Sequence, residues 1–421
     1  MVNGSLVRLR LLRGYTQEEL SERSGVSVRT IRNLERGLIL RPRRSSVDML
    51  LGVLDPDLCR QLQEQLAGDP AVPSSIVAEW MRLVDPGTGT WQGPRAPRTS
   101  LIGRESELQQ LGNLVTAHQV VVVTGPGGVG KSRICQEVAQ SAGHWFADGV
   151  AVAEMGRIPA ERHLDTSAAA MDLALAAVDE VIRDGQPARR ALLVLDNTEH
   201  LPETTARLVE HLVTAYPEMH LLVTSRRLPN LHGAVLRETP PLTCEAAVDL
   251  LLERLAMVCP MLDLSGERDQ LGELCRELDL LPRLVEFAAH RLRTVPLPVL
   301  LSHSRARQLL GSADHSLLPH QQTVRASVRW SLELLDERHQ SFLARLAGMP
   351  ELAGLIPGGL RTAALGVGEA EAMDLMAELV DSSLLQVDRG SRYEYRMLRH
   401  IQAVLAEQAP ALRPEALAFT G

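Results

Sequence analysis

A chain of 421 residues is too long for one hydrophobic core and predicts about three domains. Its content of 45% hydrophobic and 23% charged residues is ordinary for a soluble globular protein, and no apolar run approaches the ~18 residues that a membrane span needs. Net charge is −8, but residues 1–55 hold ten Arg against six Asp/Glu, a basic head on an acidic body in which only the head is expected to meet nucleic acid.

The five cysteines (Cys59, Cys135, Cys244, Cys259, Cys275) are scattered and form no C-x-x-C pair, so they read as reduced core residues of a cytoplasmic protein. Met1 to Tyr15 is too charged for a signal peptide. Lys131 is the only lysine, so the remaining basic residues are all arginine, a bias that suggests a high-GC genome.

In chain order, the first predicted elements are two short helices. Thr16 caps one that buries Leu20, Gly25 supplies a tight turn, and Ser27 caps a second that buries Ile31 and Leu34. This is a helix-turn-helix pattern, an all-α head whose second helix can enter a major groove of double-stranded DNA. Its outward residues are Val28, Arg29, Arg32 and Asn33. Arg suits guanine, Asn suits adenine and Val suits the thymine methyl. Arg41, Arg43 and Arg44 just beyond offer phosphate contacts, which position a protein without specifying sequence.

Two further short helices are expected over Asp57–Leu66 and Ser74–Val84. Asp85–Ser100, rich in Pro, Gly and Thr, reads as a tether. From Leu101 apolar strands alternate with amphipathic helices: His118–Thr124, Gly149–Ala153, Ala191–Leu195 and His220–Thr224 predict a parallel α/β sheet.

The first strand runs into Gly125-Pro-Gly-Gly-Val-Gly-Lys131-Ser132, which matches the phosphate-loop template G-x-x-x-x-G-K-S/T. Glycines let backbone N–H groups turn onto phosphate oxygens, and the following helix N-terminus adds its dipole. The candidate phosphate-binding positions are Gly125, Gly127, Gly128, Val129, Gly130, Lys131, Ser132 and Arg133. Lys131 is expected at the β/γ-phosphates of ATP or ADP, and Ser132 at Mg²⁺. Asp196, ending the apolar stretch Ala191–Asp196, is expected to hold the Mg²⁺ shell from the catalytic side. The next residue is Asn197, which cannot act as a general base, so hydrolysis is expected to be slow unless Glu199 or a remote group substitutes. Arg226, after the fourth strand, is placed to reach a γ-phosphate.

Beyond about residue 240 the pattern is helical, over Thr243–Val258, Ser265–Arg293 and Gln321–Leu346. A short alternating stretch, Leu384–Leu398, is split by a turn at Arg389–Gly390. Helices followed by a hairpin suit a winged helix. The expected organisation is a head over 1–70, a helix and linker over 71–100, a phosphate-loop NTPase over 101–240, a helical domain over 241–318 and a winged-helix domain over 319–421.

The head, with its Thr-Gln-Glu-Glu-Leu opening and Leu-Glu-Arg-Gly ending, resembles the phage-repressor (XRE-like) family. That resemblance implies Gln17 against a phosphate and Val28, Arg29 and Asn33 facing bases, and Ser27 is counted with them as a DNA-binding position. Leu-Ile-Gly-Arg-Glu (101–105), the phosphate loop, Leu-Asp-Asn-Thr-Glu-His (195–200), Val-Thr-Ser-Arg-Arg (223–227) and Leu-Leu-Pro (280–282) extend the likeness. With the stretch from His320 through Trp330-Ser331 and Tyr395-Arg-Met-Leu398, the body resembles STAND NTPases of the NB-ARC type, in the form found in actinobacterial antibiotic regulators.

The resemblance implies that Ile102, Gly103 and Arg104 border adenine, that Pro282 packs on it and that Arg226 senses the γ-phosphate. It also implies a histidine at the β-phosphate of ADP. Here the sequence reads Leu398-Arg399-His400, which puts His400 one place late. Family members usually continue into helical sensor repeats. The chain stops at Gly421, so a separate sensor protein or a missing C-terminal sensor domain is expected. The implied function is transcription regulation, with ADP holding a closed form and ATP favouring an open, self-associating one. The alternatives are an AAA+-like motor ATPase, which needs an acid where Asn197 stands, and an NLR-like signalling scaffold whose head binds protein.

Overall fold

In the computed structural model the described residues are 10, 15–35, 49–50, 52–54, 91–97, 99–146, 148–159, 165–182, 190–227, 229–303, 310–311, 318–348, 367–389 and 393–408. The expected helices over 57–66 and 74–84, and Arg41, Arg43 and Arg44, lie outside them.

Helix α1 (Gln17–Ser24) starts at Thr16. The Thr16 hydroxyl accepts the Glu19 N–H at 3.1 Å, and the Glu19 carboxylate accepts the Thr16 N–H at 2.8 Å. This reciprocal box pairs two donors that a helix start otherwise leaves open. Gly25 ends the helix at φ 72°, a left-handed position that glycine adopts without strain. Ser27 Oγ accepts the Thr30 N–H at 3.2 Å and opens α2 (Val28–Glu35). Leu20, Val26, Ile31 and Leu34 are buried, as the helix-turn-helix pattern requires.

The central unit is a six-stranded sheet in the order β1-β3-β4-β5-β2-β6. Its strands are β1 (Trp91–Gln92), β2 (Val120–Thr124), β3 (Val150–Glu154), β4 (Leu192–Asp196), β5 (His220–Thr224) and β6 (Val235–Glu238). β2 pairs in parallel with β5 on one side and β6 on the other. Helices α3 (Glu105–Ala117), α4 (Lys131–Ala142), α5 (Ala168–Val181) and α6 (Pro202–Ala215) connect the strands. β2 and β4 are buried almost throughout, the continuous apolar pattern of strands covered on both faces.

The tether expectation for 85–100 does not hold over its described part. Trp91–Gln92 forms a sheet edge, and Gly93 follows at φ 87° so close to β3 that a Cβ would meet the Val152 carbonyl oxygen at 2.1 Å. Thr99 and Ser100 are hydrogen-bonded by Arg133 and Arg254. A glycine-rich segment here marks close backbone approach, not slack chain. The four sequence-read strands are present. β6, half-exposed and only four residues long, carries too little apolar signal to be read.

After β6 come α7 (Cys244–Val258, capped by Thr243), α8 (Arg268–Glu277), α9 (Pro282–Leu292) and α10 (Leu297–Ser302). The helical reading of Ser265–Arg293 is broken in the middle, because Asp279 and Leu280 adopt φ of 55° and 54°. Three helices follow, α11 (Val324–Glu333), α12 (Glu337–Ala347) and α13 (Glu369–Asp381). The antiparallel hairpin β7 (Leu385–Arg389) and β8 (Tyr393–Met397) lies where the alternating stretch predicts it, ahead of α14 (Arg399–Gln408). One continuous apolar core joins Val129 of the phosphate loop to α7, α8, α9 and the elements from α11 to α14. Among the described residues, no helix is long and apolar enough to cross a membrane.

Candidate functional site

β2 ends at Thr124, and the loop Gly125–Gly130 leads into α4 at Lys131. Gly125, Gly128 and Gly130 hold φ of 139°, 82° and 102°, values that a side chain would strain. Gly127 is required for space, since a Cβ there would lie 2.7 Å from Arg226 Nη1. Lys131 is buried, and its ammonium donates to the Gly125 and Pro126 carbonyls at 2.7 and 3.1 Å. Burial brings its pKa down to about 8, with Glu199 and Asp196 pulling the other way.

β5 lies between β2 and β4, so its last residue faces both the loop and the end of β4. Thr224 Oγ1 donates to the Asp196 carboxylate and accepts the Asn197 N–H at 3.0 Å. Burial pushes the Asp196 carboxyl above its ordinary range, while hydrogen bonds from Thr224 and Ser132 oppose that shift. Ser132 and Asp196 are therefore in contact, a hydroxyl beside a carboxylate. Those hard oxygen donors suit Mg²⁺, and a cation would restore the charge that burial disfavours.

Asn197 adopts φ 61°, a left-handed conformation that Asn tolerates better than most side chains. Its Nδ2 donates to Glu154 Oε1 at 2.8 Å, where the Gly156 N–H also donates at 3.1 Å. Burial, then the neighbouring Asp196, pushes the Glu154 carboxyl up to about 7.

Arg226 closes the site. Its Nε meets Glu199 Oε1 at 3.1 Å, and both side chains are under one-tenth exposed. Its Nη1 donates to the Ser327 carbonyl at 3.1 Å and to Ser331 Oγ at 2.9 Å, both on α11. Burial pushes Glu199 up, but Arg226 and Lys131 together outweigh it and hold the carboxyl low. The Arg226 carbonyl accepts from Ser383 Oγ at 2.8 Å, and Arg227 pairs with Glu378 of α13 at 3.0 Å.

The structure thus brings Lys131, Ser132, Asp196 and Arg226 together. Arg104, 1% exposed, donates to the Val129 carbonyl at 3.1 Å and to Glu107 at 2.7 Å, so it braces the loop. Gly103 holds φ 65°, with Ala246 so near that a Cβ would clash at 2.4 Å; Ile102 packs on the C-terminal core. Pro282 opens α9 against Gly130, and the Arg283 N–H donates to the Gly128 carbonyl at 3.2 Å. The Arg133 guanidinium is occupied by Thr99 and by Glu137 at 3.0 Å.

His400 has a partner of its own. Its Nδ1 lies 2.7 Å from Asp279 Oδ2, and that buried carboxylate also accepts the Arg399 and His400 N–H groups at 2.9 and 3.1 Å. Asp279 thereby caps α14 from the break between α8 and α9. In the head, Arg29 and Arg32 are exposed and Val28 and Asn33 half-buried. Arg32 Nε donates to Gln17 Oε1 at 3.3 Å, which couples two residues expected at DNA.

Sequence reasoning gave no role to Glu154, Thr224, Ser327 or Ser331, although Thr224 and Ser331 fall within the quoted family stretches. One signal was present for Glu154: like Asp196 it is an acid that ends an apolar strand, and open α/β sheets gather their chemistry at carboxyl ends. The others depend on strand order and on long-range contact.

Residues 100–224 match the family described as AAA ATPase domain, and residues 6–55 match the family described as helix-turn-helix. A protein of Mycobacterium tuberculosis named as an HTH-type transcriptional regulator is 32% identical over 309 residues, covering 70% of this chain and 34% of its own length. The regulatory protein AfsR of Streptomyces griseus is 28% identical over 343 residues, covering 75% of this chain and 34% of its own. The chain spans about a third of the length of both regulators. Among solved structures, a Walker-type ATPase of Pyrococcus abyssi superposes with a TM-score of 0.50 at 15% identity, over 75% of this chain and 98% of its own, a likeness of fold. The chain therefore carries a helix-turn-helix segment ahead of an AAA-type ATPase domain.

Proposed function

We propose that this chain is a DNA-binding transcriptional regulator switched by nucleotide, in the manner of STAND NTPases of the NB-ARC type. Arg226 is the observation that carries the reading. One guanidinium touches the phosphate loop at Gly127, the Glu199 carboxylate and two serines of α11. A γ-phosphate arriving at the loop would compete for that guanidinium, so α11 would lose its hold in the ATP form and keep it in the ADP form.

In this reading Lys131 exchanges the Gly125 and Pro126 carbonyls for β/γ-phosphate oxygens, and Ser132 and Asp196 hold Mg²⁺. The ion would supply charge neutralisation across the phosphates. Ile102, Gly103 and Arg104 border the base, with Pro282 on its other side. His400, held by Asp279, reports the ADP form through α14 more readily than through a phosphate contact. A clean switch needs ~3–5 kcal/mol of difference in affinity for the two nucleotides between the two forms. Arg29, Arg32, Asn33 and Val28 read bases in the groove, with Gln17, Ser27, Arg43 and Arg44 at phosphate. The name of the Mycobacterium relative, an HTH-type transcriptional regulator, supports a role in transcription.

Calorimetry with Lys131→Ala is the test. That variant should lose measurable binding of ADP and ATP while keeping its helical content. Unchanged ADP affinity would remove the reading. The AAA ATPase match and the carboxyl of Glu154 favour a second reading, a motor ATPase. Sustained turnover of several per second, within the ~1–10³ s⁻¹ of ordinary enzymes, would select it.

A further inference from the structure

Beside the Glu199–Arg226 pair lies a cavity of about 280 Å³, just under the ~300 Å³ at which small-ligand pockets begin. One wall carries Asp165, Glu199 and Arg227; the other carries Trp330 and Glu333 from α11, with Asp336, His339 and Glu378. Five carboxylates thus line the cavity with one guanidinium, Arg227, while Arg226 holds Glu199 from outside it.

Some of that charge is settled locally. Asp165 accepts the Glu203 and Thr204 N–H groups at 3.1 and 2.9 Å, Glu378 pairs with Arg227 at 3.0 Å, and Asp336 meets His339 at 2.6 Å. His339 also meets Glu378 through Nε2, and by formal charge the five carboxylates still outnumber the guanidinium groups of Arg226 and Arg227. Three lining residues also bring a buried polar atom that has no hydrogen-bond partner among the described residues, Glu199 Oε2, His200 Nδ1 and Trp330 Nε1. Glu199 is 2% exposed, and only its Oε1 is taken by Arg226. Trp330 is fixed by His320, stacked on it at 4.4 Å and 9°. A buried polar atom left unpaired costs roughly 1–3 kcal/mol, and folded proteins retain few. With His200 Nε2 donating to the Ile158 carbonyl at 3.0 Å, two acceptors and one donor are therefore left unpaired on the residues that line the cavity.

We propose that this cavity is a binding site for a small organic cation, an amine or guanidinium that also carries a hydrogen-bond acceptor. The cationic N–H groups pair with Glu199 Oε2 and the acid excess, and the acceptor takes the Trp330 N–H. The cavity includes no phosphate-loop residue, and Glu199 is the group it shares with the Arg226 pair.

The probes are argininamide and glycinamide, titrated calorimetrically into the full chain, with sodium chloride matched in ionic strength. The expected result is saturable binding of argininamide that salt does not reproduce. Trp330→Phe keeps the ring and removes the N–H, and Glu333→Gln alters an exposed position and one charge. Each should weaken binding by about fivefold or more, the loss expected for one hydrogen bond or charge contact. Should Trp330→Phe fail to fold, Glu333→Gln decides alone. Heat matched by sodium chloride, no saturation with either probe, or wild-type affinity in the folded variants would overturn the proposal.

Discussion

At the residue scale the site turns on which carboxylate can serve a water molecule. Glu199 is tied to Arg226 and held low, and Asn197 occupies a left-handed position where a larger acid would be strained. Glu154, pushed up to about 7 and bound by Asn197 Nδ2, is the remaining group at the strand ends. Turnover should therefore be slow, and what there is should depend on Glu154. Glu154→Gln is expected to reduce phosphate release by about a hundredfold or more, the low end of what a general base contributes, with ADP affinity unchanged. An unaltered rate in that variant would move the role elsewhere.

His320 makes a separate prediction. Burial, then the positive charge of Arg226, lowers its pKa to about 4, against the pull of Glu199. The folded state resists a proton that the unfolded chain takes up. Stability present above about pH 6.5 should therefore be lost as pH falls toward about 4. His320→Phe keeps a ring stacked on Trp330 and should flatten that loss in melts recorded across this range. Parallel curves for the two proteins would place the acid sensitivity in other groups.

At the element scale, what could be read from sequence was local. The phosphate loop is legible because its glycines answer backbone angles fixed within six residues, and the head because Thr16, Gly25 and Ser27 are caps whose partners lie three or four residues away. Thr224 was not legible, because its role follows from β5 lying between β2 and β4. Asp279 caps α14 from 120 residues away, and the break around it carries neither Gly nor Pro until Pro282. Gly93 looked like slack because composition does not distinguish a flexible glycine from one pressed against a strand.

The head's second helix yields a test that separates its surfaces. Arg29 is exposed on α2, and Arg43 lies beyond it, outside the described residues. Arg29→Ala should cost ~1–3 kcal/mol on a specific site and little on random DNA. Arg43→Ala should weaken all sequences alike and reduce the salt slope by about one unit. Equal losses on both kinds of DNA for both variants would mean that α2 does not read bases.

At the scale of the whole molecule, one arginine ties the phosphate loop to the C-terminal helices. Arg226 reaches Gly127, Glu199 and α11, and the continuous core carries α11 into α14 and Asp279. Any change at the loop therefore has a packed route to the C-terminal elements. The measurement that tests the central claim most directly is DNA binding by the full chain in a salt titration. It uses genomic fragments enriched by pull-down, first with ADP and then with a non-hydrolysable ATP analogue and Mg²⁺. At least about a tenfold tighter complex is expected in one nucleotide state, equivalent to ~1.4 kcal/mol of coupling, with its loss in Lys131→Ala. Equal affinity in both states, with both nucleotides bound, would contradict it.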